Sequence, residues 1–366
     1  MRIEGDCPAL CRACSHRHLD EESSLAQKEA WLALRLSPWA DRLEPIDAPR
    51  GDSRWGYRDK ATLRAGWDQN GGWRFGMPLR DGLLPLENCP VHSARVRAAL
   101  SWLRDSLPPA GDFPLAFYTQ VGAQATLVLK TRTDPGDGWI RGKEESLALT
   151  GLEGLWLHLF PSAGRHLFGA GPLRLLWGKP LSRNPLGLLH GPQGFQQLRP
   201  DLYARSLDRA EAFLDPGPGK CVIDLYCGGG ASLARWTAKK AGALGIELSG
   251  EALASAALNA PGSTLLRGRC ALRIPQAEEW IRLVPGRDRL LYANPPRTGL
   301  EPEVTTWITG SLRPARAAYL SCSAGTLARD LESLSREGYS VVSILPFDFF
   351  PRTRHVETLA LLERLP

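Results

Sequence analysis

The sequence contains no uninterrupted apolar run long enough to cross a bilayer, so no membrane-spanning helix is expected. Its first residues, Met1-Arg2-Ile3-Glu4-Gly5-Asp6, lack the apolar stretch of a signal peptide. A soluble, intracellular protein is therefore expected. No internal repeat and no low-complexity segment is found, which leaves an ordinary globular chain. A strong charge bias is missing too. The net charge is +6, shared equally between the two sides of residue 190, so charge permits an anionic partner without locating its face.

What is present is 366 residues, 43% hydrophobic and 23% charged, which suggests two domains with sizeable cores. There are eight cysteines: Cys7, Cys11, Cys14, Cys89, Cys221, Cys227, Cys270 and Cys322. In an intracellular chain, clustered cysteines point to metal binding or catalysis rather than to disulfides. Cys7, Cys11 and Cys14 fall within eight residues, and Cys89 lies in Glu87-Asn88-Cys89-Pro90. Three close thiols and a distant fourth suffice for a tetrahedral sulfur site, and this spacing does not choose between zinc and an iron–sulfur cluster. His16 and His18 follow in an expected exposed loop. A helix is expected next, carrying Leu25, Trp31, Leu32, Leu34 and Leu36 and disrupted at Pro38.

Arg54 to Arg64 interleave basic and aromatic residues. That mixture suits RNA, with cations for phosphates and rings for unstacked bases, and it suits an amphipathic strand equally well. Short β-like runs follow at Leu115 to Gln120, Ala125 to Lys130 and Leu155 to Phe160, separated by Gly/Pro/Asp turns. This half reads as mostly β.

From about residue 200, helices and strands alternate, the pattern of a doubly wound α/β domain. Cys221 to Tyr226 reads as a buried strand, Cys227-Gly228-Gly229-Gly230 as a tight turn and Ala231 to Ala241 as a helix. A second strand, Ala243 to Ile246, ends in Glu247. Strand, glycine turn, helix, strand and acid make a Rossmann-type nucleotide site, with the acid placed for ribose hydroxyls. The third position of the pyrophosphate fingerprint is Leu233, so the dinucleotide pattern fails. Asp224, closing the first strand beside the glycine turn, suits S-adenosylmethionine better. Leu290 to Ala293 is a further strand, which runs into Asn294-Pro295-Pro296-Arg297. That ending is typical of methyltransferases acting on nucleobases or amides.

The stretch Tyr319 to Leu331 organises the rest. An apolar run leads to Ser321-Cys322-Ser323 and then to a helix. A thiol facing a helix N-terminus sits where a thiolate is favoured. The closing segment carries His355-Val356-Glu357 at the mouth of a final strand, where Glu357 could be a surface acid or a base beside Cys322.

Together these motifs resemble the uracil-C5 RNA methyltransferase family over nearly the whole chain. They comprise the N-terminal cysteines, Cys89, Gly194-Phe195-Gln196-Gln197, the Asp224 to Glu247 unit, Asn294 to Arg297, Ser321-Cys322 and His355 to Glu357. The branch resembled most is the 23S ribosomal RNA branch RlmC, because the chain starts at the cysteines with no room for a TRAM domain and carries Asn294 at an otherwise acidic position.

The resemblance implies a [4Fe-4S] cluster on Cys7, Cys11, Cys14 and Cys89. It implies S-adenosylmethionine binding by Gln197, Tyr226, Gly228, Glu247 and Asn294, with Cys322 as nucleophile and Glu357 as general base. Residues 1–190 would form the iron–sulfur and RNA-binding domain, and 191–366 the Rossmann-like catalytic domain, with the helix near 17–46 packing on the latter. A cytoplasmic monomer acting on 23S ribosomal RNA is expected. Ser323 after the nucleophile, the short gap from Cys7 to Cys11, and Arg199 depart from the family pattern. The rivals are a tRNA-directed relative and a non-catalytic, metal-stapled RNA-binding protein. The His355-Val356-Glu357 ending does not suit a cytosine-C5 enzyme.

Overall fold

The computed structural model describes residues 7–68, 72–164 and 166–366; the opening hexapeptide lies outside them. The chain divides into two compact units. One comprises residues 1–14 and 51–198, the other 15–50 and 199–366.

The first unit is built on a seven-stranded sheet. Its strands are β1 (Lys60–Asp68), β2 (Gly72–Leu79), β3 (Gly82–Pro85), β4 (Leu115–Val121), β5 (Gln124–Leu129), β6 (Gly154–Leu159) and β7 (Leu173–Gly178). The order is β3-β2-β1-β4-β5-β6-β7, and only β5 and β6 pair in parallel. The helix Ala94–Ser106 is capped by Ser93 and buries Val96, Ala99, Leu100 and Leu103. That spacing makes one apolar stripe, which joins Trp73, Phe75 and Tyr118 in the core. A two-stranded ribbon, β8 (Ser182–Arg183) with β9 (Leu189–His190), completes this unit. The basic–aromatic stretch ends in β1, where Lys60 lies over the exposed Phe195 ring at 5.0 Å.

The second unit holds β10 (Cys221–Leu225), β11 (Gly242–Glu247), β12 (Thr264–Arg267), β13 (Arg289–Ala293), β14 (Arg316–Ser321), β15 (Tyr339–Phe347) and β16 (Glu357–Arg364). Their order is β12-β11-β10-β13-β14-β16-β15. β10 reads Cys-Val-Ile-Asp-Leu, apolar throughout but for Asp224, and every residue is buried. Such runs belong to parallel strands covered on both faces. Two apolar layers do the covering. One contains Ile223, Leu291 and Tyr319, the other Val222, Trp236 and Leu320.

The topology has one consequence for chemistry. β10 to β14 are parallel, whereas β16 enters antiparallel between β14 and β15. The first residue of β16 therefore lies at the edge where the parallel strands end, which is where open α/β sheets bind ligands.

The early helix runs Glu21–Arg35 and belongs to this second unit. Asp20 caps it, and Leu32 and Leu36 enter the core with Lys28 buried beside them on the same face. Trp31 and Leu34, read as part of its apolar set, are exposed. His16 differs from expectation as well. It is buried, with Nδ1 3.0 Å from the Ser24 hydroxyl, because the chain turns inward before the helix starts. No helix among the described residues is long and apolar enough to cross a membrane.

Candidate active site

Cys322 follows the last residue of β14, and Ser323 caps the helix Ala324–Arg336 by accepting the Thr326 N–H at 3.5 Å. The Ser321 hydroxyl accepts the Ser323 N–H at 3.2 Å and fixes the turn around the thiol. β14 and β16 pair in the register Ser321 with Thr358, so the next residue on each strand, Cys322 and Glu357, falls at the same edge. The two are electrostatically coupled, and both feel the Arg297 cation. The sequence motifs 35 positions apart thus become one site through the antiparallel strand.

The expectation of a favoured thiolate is corrected by the structure. Burial pushes the Cys322 thiol above its ordinary value, and the Glu357 carboxylate pushes it the same way. Arg297, by charge and hydrogen bonding, opposes them. On balance burial and the neighbouring acid outweigh Arg297, and the thiol is raised. Glu357 is buried, 4% exposed, and burial raises its carboxyl to about 7 against the opposing pull of Arg297. A carboxyl poised near neutrality is suited to proton transfer.

The loop carrying Arg297 is tied to the helix that follows the thiol. Thr326 Oγ1 donates to the Arg297 carbonyl at 3.2 Å, and Arg329 Nη2 donates to the Thr298 carbonyl at 2.9 Å. The buried Asp330 accepts from the Leu300 N–H at 2.9 Å and from the Tyr319 hydroxyl at 2.7 Å. Roles for Arg297 and Asp330 were missed from sequence, although both stand in the motifs that drew attention.

The nucleotide edge is assembled at the point where the strand order reverses, between β10 and β13. The Asn294 N–H donates to the Leu225 carbonyl at 3.2 Å, and the Cys227 N–H donates to Ile246 at 3.1 Å. Glu247 accepts from the Gly228 N–H at 3.0 Å and from the Ser249 N–H at 2.7 Å. Tyr226, Gly228, Glu247 and Asn294 are thereby gathered, whereas Gln197 lies in the first unit, one residue before its end. Gly230 needs its identity: its φ is +82°, and a Cβ there would stand 2.9 Å from the Ala256 backbone. Gly228 has a φ of +54° and nothing within 4 Å of where a Cβ would project, so the turn is open above its backbone. An open glycine turn flanked by an acid and an amide fits an adenosyl ligand.

Asp224 is not part of that edge. It is fully buried, accepts the Trp236 indole N–H at 2.8 Å, and is raised by burial to about 7. Its function is to anchor the helix Ala231–Ala238 to β10.

The four cysteines expected at a cluster all lie in the first unit. Cys11 is buried in its core, and Cys7 and Cys89 pack against the same apolar residues; Cys14 is half-buried. Four thiols of one unit are the right donors for iron or zinc. Among the described residues, no three Cys, His, Asp or Glu side chains stand together as a ligand group.

This strand order, with a nucleotide edge at the switch point, defines an S-adenosylmethionine-dependent methyltransferase fold. A solved tRNA (uracil-54, C5)-methyltransferase of Pyrococcus abyssi, in complex with S-adenosyl-L-homocysteine, shares it with a TM-score of 0.73 at 18% identity, over 97% of this chain and 86% of that one. A tRNA (uracil-5-)-methyltransferase family model matches residues 281–365. An uncharacterized RNA methyltransferase of Gloeobacter violaceus is 29% identical over 99% of this chain and 83% of its own. A 23S rRNA (uracil-C5)-methyltransferase, RlmD, of Hahella chejuensis is 28% identical over 100% and 84%. The family model and these relatives support the uracil-C5 RNA methyltransferase family, and with it an S-adenosylmethionine-dependent enzyme. These named ribosomal relatives are RlmD enzymes, where the RlmC branch was expected.

Proposed function

We propose that this enzyme methylates C5 of a uridine in 23S ribosomal RNA through a covalent adduct between Cys322 and C6, acting as a cytoplasmic monomer. The observation that carries the reading is the meeting of Cys322 and Glu357 at one sheet edge, beside Arg297. The ribosomal target is supported by the RlmD relatives. A tRNA uridine is the second reading, favoured by the description of the matched family model. Incubating the protein with a 23S rRNA fragment and with a tRNA transcript, and mapping 5-methyluridine in each, decides between them.

C5 of uracil is a poor nucleophile, and its hydrogen is not acidic. Addition of the Cys322 thiolate to C6 makes C5 enolate-like. S-adenosylmethionine, held by Gln197, Tyr226, Gly228, Glu247 and Asn294, supplies the methyl group. Glu357 then removes the C5 proton, and elimination frees the thiol. Arg297 offsets the burial of both groups, assisting ionisation of Cys322 and of Glu357. The base must leave its stack to reach them, so the target is a looped or flipped uridine.

The pH dependence follows from these positions. Glu357 must be ionised to accept a proton, so the proton-removal rate rises with pH by about tenfold per unit below pH 7 and levels off above it. The rate of adduct formation climbs beyond that point, because the Cys322 thiol is raised. Single-turnover rates measured from about pH 5.5 to about pH 9 check both limbs, and a flat profile through pH 7 contradicts the assignment of Glu357.

Cys7, Cys11, Cys14 and Cys89 would hold a [4Fe-4S] cluster. Methylation at C5 consumes no electron, so its role is structural or RNA-orienting. Replacing Cys89 with Ser is expected to remove most of the iron and the brown colour and to weaken RNA binding. Iron content unchanged from the parent protein rules Cys89 out as a ligand.

A further inference from the structure

Lys28 is the most deeply buried cation among the described residues, and the proposed mechanism does not use it. Its side chain has no exposure, and Nζ donates to Asp348 Oδ1 at 2.6 Å and to the Phe350 carbonyl at 3.3 Å. A buried ion pair seldom adds net stability over apolar groups of the same size; what it supplies is a defined arrangement. The arrangement at stake is the loop 348–356. Phe347 of β15 is the register partner of Glu357 of β16, so this loop joins the two and Asp348 is its first residue.

The rest of segment 15–50 grips the same hairpin. The Glu44 N–H donates to Ile344 at 2.8 Å, the Asp47 N–H to Pro346 at 2.9 Å, and the Asp348 N–H to Asp47 at 2.9 Å. Further along the loop, the His16 N–H donates to the Arg352 carbonyl at 2.9 Å, and the Arg354 N–H donates to the Ser15 hydroxyl at 2.9 Å. β15 is irregular between Val341 and Ser343, and it is at the other end of the hairpin, where Phe347 faces Glu357, that these contacts hold the register. A slip of one residue turns every side chain of a strand to the opposite face. For Glu357 that would remove the carboxylate from the side of Cys322.

We propose that Lys28 is a positioning residue for the proton-removal step: through Asp348 and the Phe350 carbonyl it pins the β15–β16 hairpin in the register that keeps Glu357 beside Cys322. This rests on the reading of Glu357 as the base. The discriminating variant is Lys28→Met/Asp348→Leu, which replaces the ion pair by apolar groups and keeps the packing while removing the tether to Phe350.

The test uses single turnovers on a 23S rRNA fragment that the parent enzyme methylates, carrying tritium at uridine C5. Two steps are followed: entry of a labelled methyl group into the protein–RNA adduct on a denaturing gel, and release of tritium to water. The double variant is expected to melt within a few degrees of the parent and to form adduct at a rate within about threefold. Its tritium release falls at least about tenfold, so the adduct accumulates. Lys28→Met alone shows the same split with a lower melting temperature, since it takes the buried ammonium away from the Asp348 carboxylate. Ser15→Ala, which keeps the ion pair and loses one loop anchor, covers the case of a double variant that does not fold, and tritium release about threefold slower is expected of it.

A folded double variant that releases tritium at the parental rate, or loses both steps in parallel, overturns the proposal. So does an unfolded one with Ser15→Ala unchanged. Glu357→Gln separates the two levels. If that variant also releases tritium normally, the assignment of the base has failed and the strap's role with it. If it blocks release while the double variant does not, the strap alone is wrong.

Discussion

Cys322→Ala is expected to lose at least about four orders of magnitude in turnover while retaining S-adenosylmethionine binding. The size of the effect follows from the substrate. Without a nucleophile on C6, the uracil ring offers no carbanion at C5, and proximity to the methyl donor cannot supply one. The loss should not arise from unfolding. Cys322 is half-buried in a turn held by Ser321 and Ser323, and its removal leaves the β14 core residues Tyr319 and Leu320 in place. Melting temperature, cofactor affinity and methyl incorporation into RNA measured on one preparation check this. Product formation within tenfold of the parent enzyme contradicts covalent catalysis.

Glu357→Gln is expected to slow turnover by about 10² to 10⁴-fold and to let a covalent protein–RNA adduct build up. The amide occupies the carboxyl's place but cannot accept the C5 proton, so the reaction stops after methyl transfer. Stability should move in the opposite direction to activity. Burial holds the carboxyl at about 7 against its ordinary 4.5, so the folded state favours the protonated form. The parent protein therefore loses stability from this residue as pH rises from about 4.5 through about 7, and the amide abolishes that loss. Above pH 7 the variant melts higher than the parent; below pH 4.5 the two agree. An adduct that fails to accumulate, with product released at the parental rate, removes Glu357 from the mechanism.

Much of the catalytic unit was legible because each of its signals is local. Cys221 to Leu225 is an apolar run, the glycine turn follows it, and Glu247 closes the next strand, so β10, β11 and the acid at their edge could be read directly. The Ser321-Cys322-Ser323 turn was legible for the same reason, with a strand before it and a cap after it. What escaped depends on contacts between distant segments. Asp224 ends a strand just as a cofactor acid would, but the indole that takes its carboxyl comes from Trp236, twelve residues on. His16 reads as an exposed loop residue until the helix behind it supplies Ser24. Lys28 reads as the polar side of an amphipathic helix, and only the approach of Asp348, 320 residues later, explains a buried ammonium. The electrostatics of Cys322 fail for a related reason. Its sequence neighbours suggest a thiolate, whereas burial and a carboxylate contributed by the final strand raise the thiol.

The central claim is that Cys322 forms a bond to C6 of a uridine. 5-Fluorouridine tests it most directly, since fluorine cannot leave as a proton and the intermediate is trapped. A 5-fluorouridine-substituted 23S rRNA fragment and a similarly substituted tRNA are each incubated with protein and S-adenosylmethionine and run on a denaturing gel. A shifted band on the 23S fragment, missing from Cys322→Ala and weak or missing on tRNA, is the predicted result. No shifted band on either RNA, from protein that binds S-adenosylmethionine, contradicts the covalent mechanism.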